Sequence, residues 1–137
     1  MQPNAFLDTN VLLRHVLHDQ PEQSRRATAL IEAIERGDRA VRLADTVIFE
    51  TVFTLEKTYR AKRADIRDAL LPIINLPGAV LPGKRVYIEV FALWADNAGL
   101  SFADCYHLCL TKQLGLSAII TFDRKMNRLD GIAREEP

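Results

Sequence analysis

The chain has 137 residues, enough for one domain with a single sizeable core. Hydrophobic residues make up 48% and charged residues 26%, and Lys plus Arg equal Asp plus Glu at 18 each, so the net charge is zero. That balance excludes a protein that holds nucleic acid by excess positive charge alone, and no apolar run has the length a bilayer span needs.

The first predicted elements meet at Asn4-Ala5-Phe6-Leu7-Asp8-Thr9-Asn10-Val11-Leu12-Leu13-Arg14. A short apolar run, Ala5 to Leu7, reads as a buried strand, and Asp, Thr and Asn are the usual residues of a strand-to-helix junction. Asp8 is then expected at the carboxyl end of the first strand, where open α/β sheets place their ligand crevices. Taken alone, it is as well explained as a capping residue.

The helical pattern continues to Leu17 and breaks at Asp19-Gln20-Pro21. Pro21 suits the first turn of a second helix, carried by Ala27, Leu30, Ile31 and Ile34 and stopped by Gly37. His15 and His18 lie three apart, and without an acidic partner nearby they read as surface histidines. Ala40 to Ala44 is a strand candidate, and Asp45-Thr46 opens a helix to about Tyr59, with Ile48, Val52, Leu55 and Tyr59 as its buried face. Glu50 is expected nearly opposite, near Thr54 and Lys57, either as a solvated glutamate or on a narrow polar stripe lining a cleft.

Arg60-Ala61-Lys62-Arg63 is a basic connector to an amphipathic helix carrying Ile66, Ala69, Leu70, Ile73 and Ile74. Pro77-Gly78 turns into a short strand at Ala79 to Leu81. Gly78 to Lys84 has the spacing of a phosphate-binding P-loop, but Arg85 stands where a hydroxyl is required and Pro82 removes a backbone donor, so the match is chance. Val86, Val90, Leu93 and Trp94 form the next helix. Ser101 and Asp104 have the spacing of a capping box, with Asp104 in the first turn of a helix expected to be buried over Cys105 to Leu110. Cys105 and Cys109, with His107 between them, lack a second ligand pair for zinc and read as small buried apolar groups in a reducing compartment. Ala118 to Thr121 is the clearest strand and runs into Phe122-Asp123-Arg124-Lys125, repeating the order of apolar run then Asp. The tail adds a candidate edge strand at Ile132-Ala133.

Strands alternating with helices call for a mostly parallel sheet covered on both faces. Asp8, Glu50, Asp104 and Asp123 would converge at its edge, where four carboxylates repel one another unless a cation joins them. Oxygen-only ligation selects a hard ion, Mg²⁺ or Mn²⁺, and such clusters hydrolyse phosphodiesters.

With Leu7-Asp8-Thr9-Asn10-Val11-Leu12, Ile48-Phe49-Glu50-Thr51-Val52, Phe102-Ala103-Asp104-Cys105 and Thr121-Phe122-Asp123-Arg124 in this order, the chain resembles the PIN-domain nucleases, and within them the VapC-type toxins of toxin–antitoxin pairs. The resemblance implies a single-domain α/β/α sandwich over residues 1–137 and a cytoplasmic endoribonuclease that hydrolyses RNA with Mg²⁺ or Mn²⁺. Asp8, Glu50, Asp104 and Asp123 would be its acidic metal site, with Thr9, Asn10 and Thr121 supporting them. It also implies a small antitoxin partner and a homodimer. Arg124, Lys125 and Lys57 are the candidate RNA contacts, with Arg128 behind them. A haloacid dehalogenase-type phosphatase would need a second Asp where Asn10 stands. A signalling receiver would need paired acids after the first strand and a later Lys, and both are missing. A catalytically inert interaction domain is the remaining alternative, and it need not bind Mn²⁺ through these acids.

Overall fold

The computed structural model describes residues 2–137, which form two compact units divided after Lys84, each with its own core. The first unit is built from four helices, α1 (Thr9–Leu17), α2 (Pro21–Glu35), α3 (Asp45–Phe53) and α4 (Arg63–Ile74), and the strands β1 (Val41–Arg42) and β2 (Ala79–Val80). β1 and β2 pair in parallel, Val41 with Ala79 and Arg42 with Val80. The run before α1 joins them through a parallel bridge between Phe6 and Arg42, where the Leu7 N–H donates to the Arg42 carbonyl at 2.9 Å. Asp8 therefore does follow a strand segment and enters a helix directly.

Leu12, Ile48, Val52, Leu70 and Ile74 carry the apolar faces of α1, α3 and α4 into the core of this unit. Burial of these side chains is the main favourable term holding its helices. α2 opens with Pro21 in its first turn, and Gly37 follows its end at φ 83°, a left-handed conformation that a Cβ would penalise. α3 does not run on as an α-helix to Tyr59. It passes into a π-helical turn, Thr54–Thr58, whose wider winding shifts the register of the residues after it. Ile48, Val52 and Leu55 are buried as their spacing predicts, but Tyr59 is 45% exposed, because the π turn carries it off that face.

The Gly78–Lys84 stretch has a structural explanation. A Cβ on Gly78 would stand 2.8 Å from the Arg39 carbonyl oxygen, so only glycine lets the two backbones approach. Lys84 donates to the Leu76 and Ala79 carbonyls at 2.6 and 2.7 Å, and its burial lowers the ammonium pKa. The lysine caps a turn with two of its three donors.

The second unit holds α5 (Val86–Asp96), α6 (Phe102–Gln113), β3 (Ala118–Ile120) and β4 (Ala133–Glu135). Tyr87, Phe91, Trp94 and Phe102 form an aromatic core, with Phe91 and Phe102 centroids 5.0 Å apart and Trp94 edge-on to Phe102 at 5.2 Å. α6 is buried along one stripe, Cys105, Leu108 and Cys109, while His107 is exposed, so it is amphipathic and not buried all round. The tail supplies β4, parallel to β3 and one residue later than its apolar pattern suggests. All described strand pairings are parallel, as strands separated by helices require.

Candidate active site

In the first unit the site begins with the Asp8-Thr9-Asn10 junction. Asp8 occupies the N-cap position of α1 with extended backbone, yet its side chain makes no capping hydrogen bond and is exposed. Most N-cap aspartates use the carboxylate to satisfy helix N–H groups. This one leaves its carboxylate to the solvent side. Thr9, the first residue of α1, is buried, and its hydroxyl donates to Glu50 Oε2 at 3.0 Å across 41 positions of sequence. One hydrogen bond thus ties the first motif to the second and fixes the direction of the Glu50 carboxylate.

Glu50 is exposed on α3 and lines an open cavity of about 310 Å³ together with Asp45, Thr46 and Phe49. Glu50 thus lies opposite the buried Ile48, Val52 and Leu55, and Phe53 on the same helix is itself 65% exposed. Thr51 beside it is fully buried and turns its hydroxyl back to the Val47 carbonyl at 2.7 Å. Asp45 is an acid that the motif spacing does not single out. It opens α3, and an acid in a first turn is too common a helix-start signal to stand out.

In the second unit Asp104 and Asp123 each have a fixed carboxylate. Ser101 and Asp104 form the full capping box: the Ser101 hydroxyl accepts from the Asp104 N–H at 3.1 Å, and the Ser101 N–H donates to Asp104 Oδ2 at 3.1 Å. Capping engages one carboxylate oxygen and leaves Oδ1 for another partner. Asp123 caps a 3-10 turn, Arg124–Met126, accepting the Lys125 N–H on Oδ1 at 2.9 Å. Its backbone is pinned from both sides, by Thr121 Oγ1, which accepts the Asp123 N–H at 3.0 Å, and by Arg134, which donates to the Asp123 carbonyl at 2.9 Å. Thr121 therefore holds the backbone of Asp123, whereas Thr9 holds the carboxylate of Glu50 itself. Asn10 touches none of the four acids by a hydrogen bond and instead lines a cavity with Arg14 and Arg26. Within either unit, taken by itself, no three Asp, Glu, His or Cys side chains among the described residues group closely enough to hold a metal ion.

Of the candidate RNA contacts, Lys125 and Arg128 line a cavity of about 220 Å³ with the 96–100 loop. Arg124 is exposed. Lys57 is exposed too, but its ammonium lies 3.7 Å from Glu56, which also holds Arg63 at 2.8 Å. The histidine reading is corrected in part. His18 is on the surface, whereas His15 is half-buried with Nδ1 2.8 Å from Thr28 Oγ1, and burial, followed by the charge of His18, lowers its pKa. Cys105 and Cys109 are free and buried. Burial first, then Glu89, pushes the Cys109 thiol up to about 12, which makes it a poor zinc ligand or nucleophile.

The PIN domain family model matches residues 5–132, a span that contains all four acids and both supporting threonines. The chain belongs to the PIN domain family. Among curated proteins, a VapC ribonuclease of Aquifex aeolicus (strain VF5) is 27% identical over 124 residues, covering 90% of either chain. No helix among the described residues of this PIN domain is long and apolar enough to cross a membrane.

Proposed function

We propose that this PIN domain is an endoribonuclease dependent on Mg²⁺ or Mn²⁺, the toxin of a toxin–antitoxin pair, working as one catalytic domain over residues 1–137. Asp8, Glu50, Asp104 and Asp123 carry the metal and the reaction. The observation that carries the reading is the Thr9–Glu50 hydrogen bond, because it joins two separated motifs beside an Asp8 carboxylate that its helix does not use. The match along 90% of a VapC ribonuclease supports the same conclusion from outside.

The donors suit such an ion. Every candidate ligand is a carboxylate oxygen, which favours a hard divalent cation over zinc or copper. When bound, the ion supplies the acidified water and the positive charge that phosphodiester hydrolysis requires. The chain's own residues do the rest. Thr9 keeps Glu50 in one orientation, and Ser101 and the Lys125 N–H do the same for Asp104 and Asp123, so each carboxylate is oriented within its own unit. Arg124 and Lys125 hold the RNA phosphates, and Lys57, the third candidate, contributes less because Glu56 lies 3.7 Å from its ammonium. The free, buried cysteines suit a cytoplasmic setting, and the proposal extends to a small antitoxin partner, which the VapC likeness supports, and to a homodimer.

The test is cleavage of labelled single-stranded RNA by purified protein. Cleavage with Mg²⁺ or Mn²⁺ that stops in EDTA is expected, and undiminished cleavage in EDTA would overturn the metal mechanism. Calorimetry with Mn²⁺ separates the enzyme from an inert interaction domain, which would show no binding that depends on these acids. If a small reading frame adjoins the gene, co-expressing it should relieve the growth arrest that the chain alone causes, and sedimentation should give a dimer mass.

A further inference from the structure

α1 and α2 enclose a cavity of about 400 Å³ that the four acids do not line. Its volume lies in the range of small-molecule sites. Asn10, Val11 and Arg14 of α1 face Gln23, Arg26 and Leu30 of α2 across it, and no carboxylate lines it. The lining holds two guanidinium groups, and one of them, Arg26, is open to an anion, phosphate in particular, whose oxygens match the planar fork. The two arginines differ in a useful way. Arg14 is half-buried and held by Asp19 at 3.0 Å, so its position is fixed in advance. Arg26 is exposed and forms no ion pair among the described residues, so its charge is free to be met by a ligand. Val11 and Leu30 offer the apolar surface that a base face covers, and the Asn10 and Gln23 amides offer both donors and acceptors for base edges.

The cavity also has a fixed relation to the acids of its own unit. Asn10 lines it and lies two residues from Asp8, while Arg14 lies six residues from Asp8, about 9 Å along the helix axis. Neighbouring nucleotides of one strand can reach both. We infer that this cavity seats a nucleotide of an RNA strand running past Asp8, its phosphate on Arg26 and its base against Val11 and Leu30. The inference rests on the ribonuclease reading for the identity of the strand and adds a subsite that sets how a longer substrate is held.

The test uses Arg26, whose exposure lets it be replaced without loss of fold. Binding is read by fluorescence anisotropy of a labelled oligoribonucleotide of about a dozen nucleotides, with Asp8→Asn protein in EDTA so that nothing is cut. Arg26→Ala in that background should weaken binding about fivefold near 0.1 M salt and lower the salt slope by about 0.7, with Arg26→Lys restoring the slope. In otherwise wild-type enzyme with Mn²⁺, Arg26→Ala should raise KM for the long strand, leave kcat unchanged, and leave cleavage of a dinucleotide untouched. Wild-type affinity and slope in Arg26→Glu would overturn the inference, as would an equal fall of kcat on both substrates. Unchanged RNA binding with lost capture of the antitoxin would also overturn it, in favour of a peptide groove. The two readings fail separately. A protein that never cleaves RNA yet binds it through Arg26 loses only the nuclease reading, and one that cleaves but binds without Arg26 loses only this subsite.

Discussion

At the scale of single residues, Asp8 separates chemistry from stability. Its carboxylate is exposed and makes no capping bond, and Asn is as good an N-cap as Asp, so Asp8→Asn removes a proposed metal ligand and nothing the fold depends on. Cleavage should fall below detection while thermal unfolding without metal shifts by less than about 0.5 kcal/mol. A melt well below wild type would make Asp8 structural. Cys109 gives the opposite case. With its pKa pushed up to about 12 and its side chain buried, it should resist iodoacetamide at pH 8 in the folded protein and react only after unfolding. His15 supplies a pH signature. Its folded pKa is lowered, so the unfolded chain binds the proton more readily. The stability this group contributes is complete above its ordinary value near 6.5 and declines as pH falls below that value. Melts taken between pH 7.5 and 5.5 should show the decline, and His15→Asn should flatten it.

At the scale of elements, the Thr9–Glu50 bond gives the clearest expectation. Thr9→Val keeps the shape of a buried residue and removes the donor, leaving Glu50 free to rotate. Activity should drop about ten- to hundredfold, in kcat more than in KM, as when a ligand's supporting hydrogen bond is lost. An unchanged kcat would show that Glu50 needs no such support. Much of this element structure is legible in the sequence because its signals are local. Pro21 and Gly37 bracket α2, and Ser101 with Asp104 spells the capping box that the structure forms. Asp8 and Asp123 stand directly after the Phe6 bridge and β3, where the alternation of apolar runs and acids put them. The departures have non-local causes. Nothing in Thr54-Leu55-Glu56-Lys57-Thr58 announces a π turn, since its extra residue per turn depends on what α3 packs against, and so Tyr59 lies off the face that its spacing predicts. Half-burial of His15 follows from Thr28 on another helix, which no spacing rule connects to it.

At the scale of the whole molecule, the charge balance decides how RNA must be held. With 18 cations against 18 acids, there is no overall field to draw in a polyanion, so the contacts must come from local groups whose charge is not already met. By that criterion the candidates separate. Lys57 and Arg63 share Glu56, at 3.7 and 2.8 Å, and an ammonium facing a carboxylate releases little of the counterion atmosphere on binding phosphate. Arg124 and Lys125 are exposed and in no ion pair among the described residues, and Lys125 lines a cavity with Arg128. They also come directly after Asp123, so a phosphate they hold lies close along the chain to a candidate ligand. Arg124→Ala combined with Lys125→Ala should therefore lower the slope of log affinity against log salt by about 1.4, two single-strand phosphate contacts at about 0.7 each. Lys57→Ala should change it far less. Anisotropy titrations with single-stranded RNA between about 50 and 200 mM salt give the slopes directly. Equal slopes for wild type and the double variant would move the RNA track elsewhere, with Arg60 and Lys62, exposed on the 60–63 connector, as the next candidates. Mn²⁺ affinity, measured alongside, should stay at the wild-type value in the double variant, because neither side chain is a ligand.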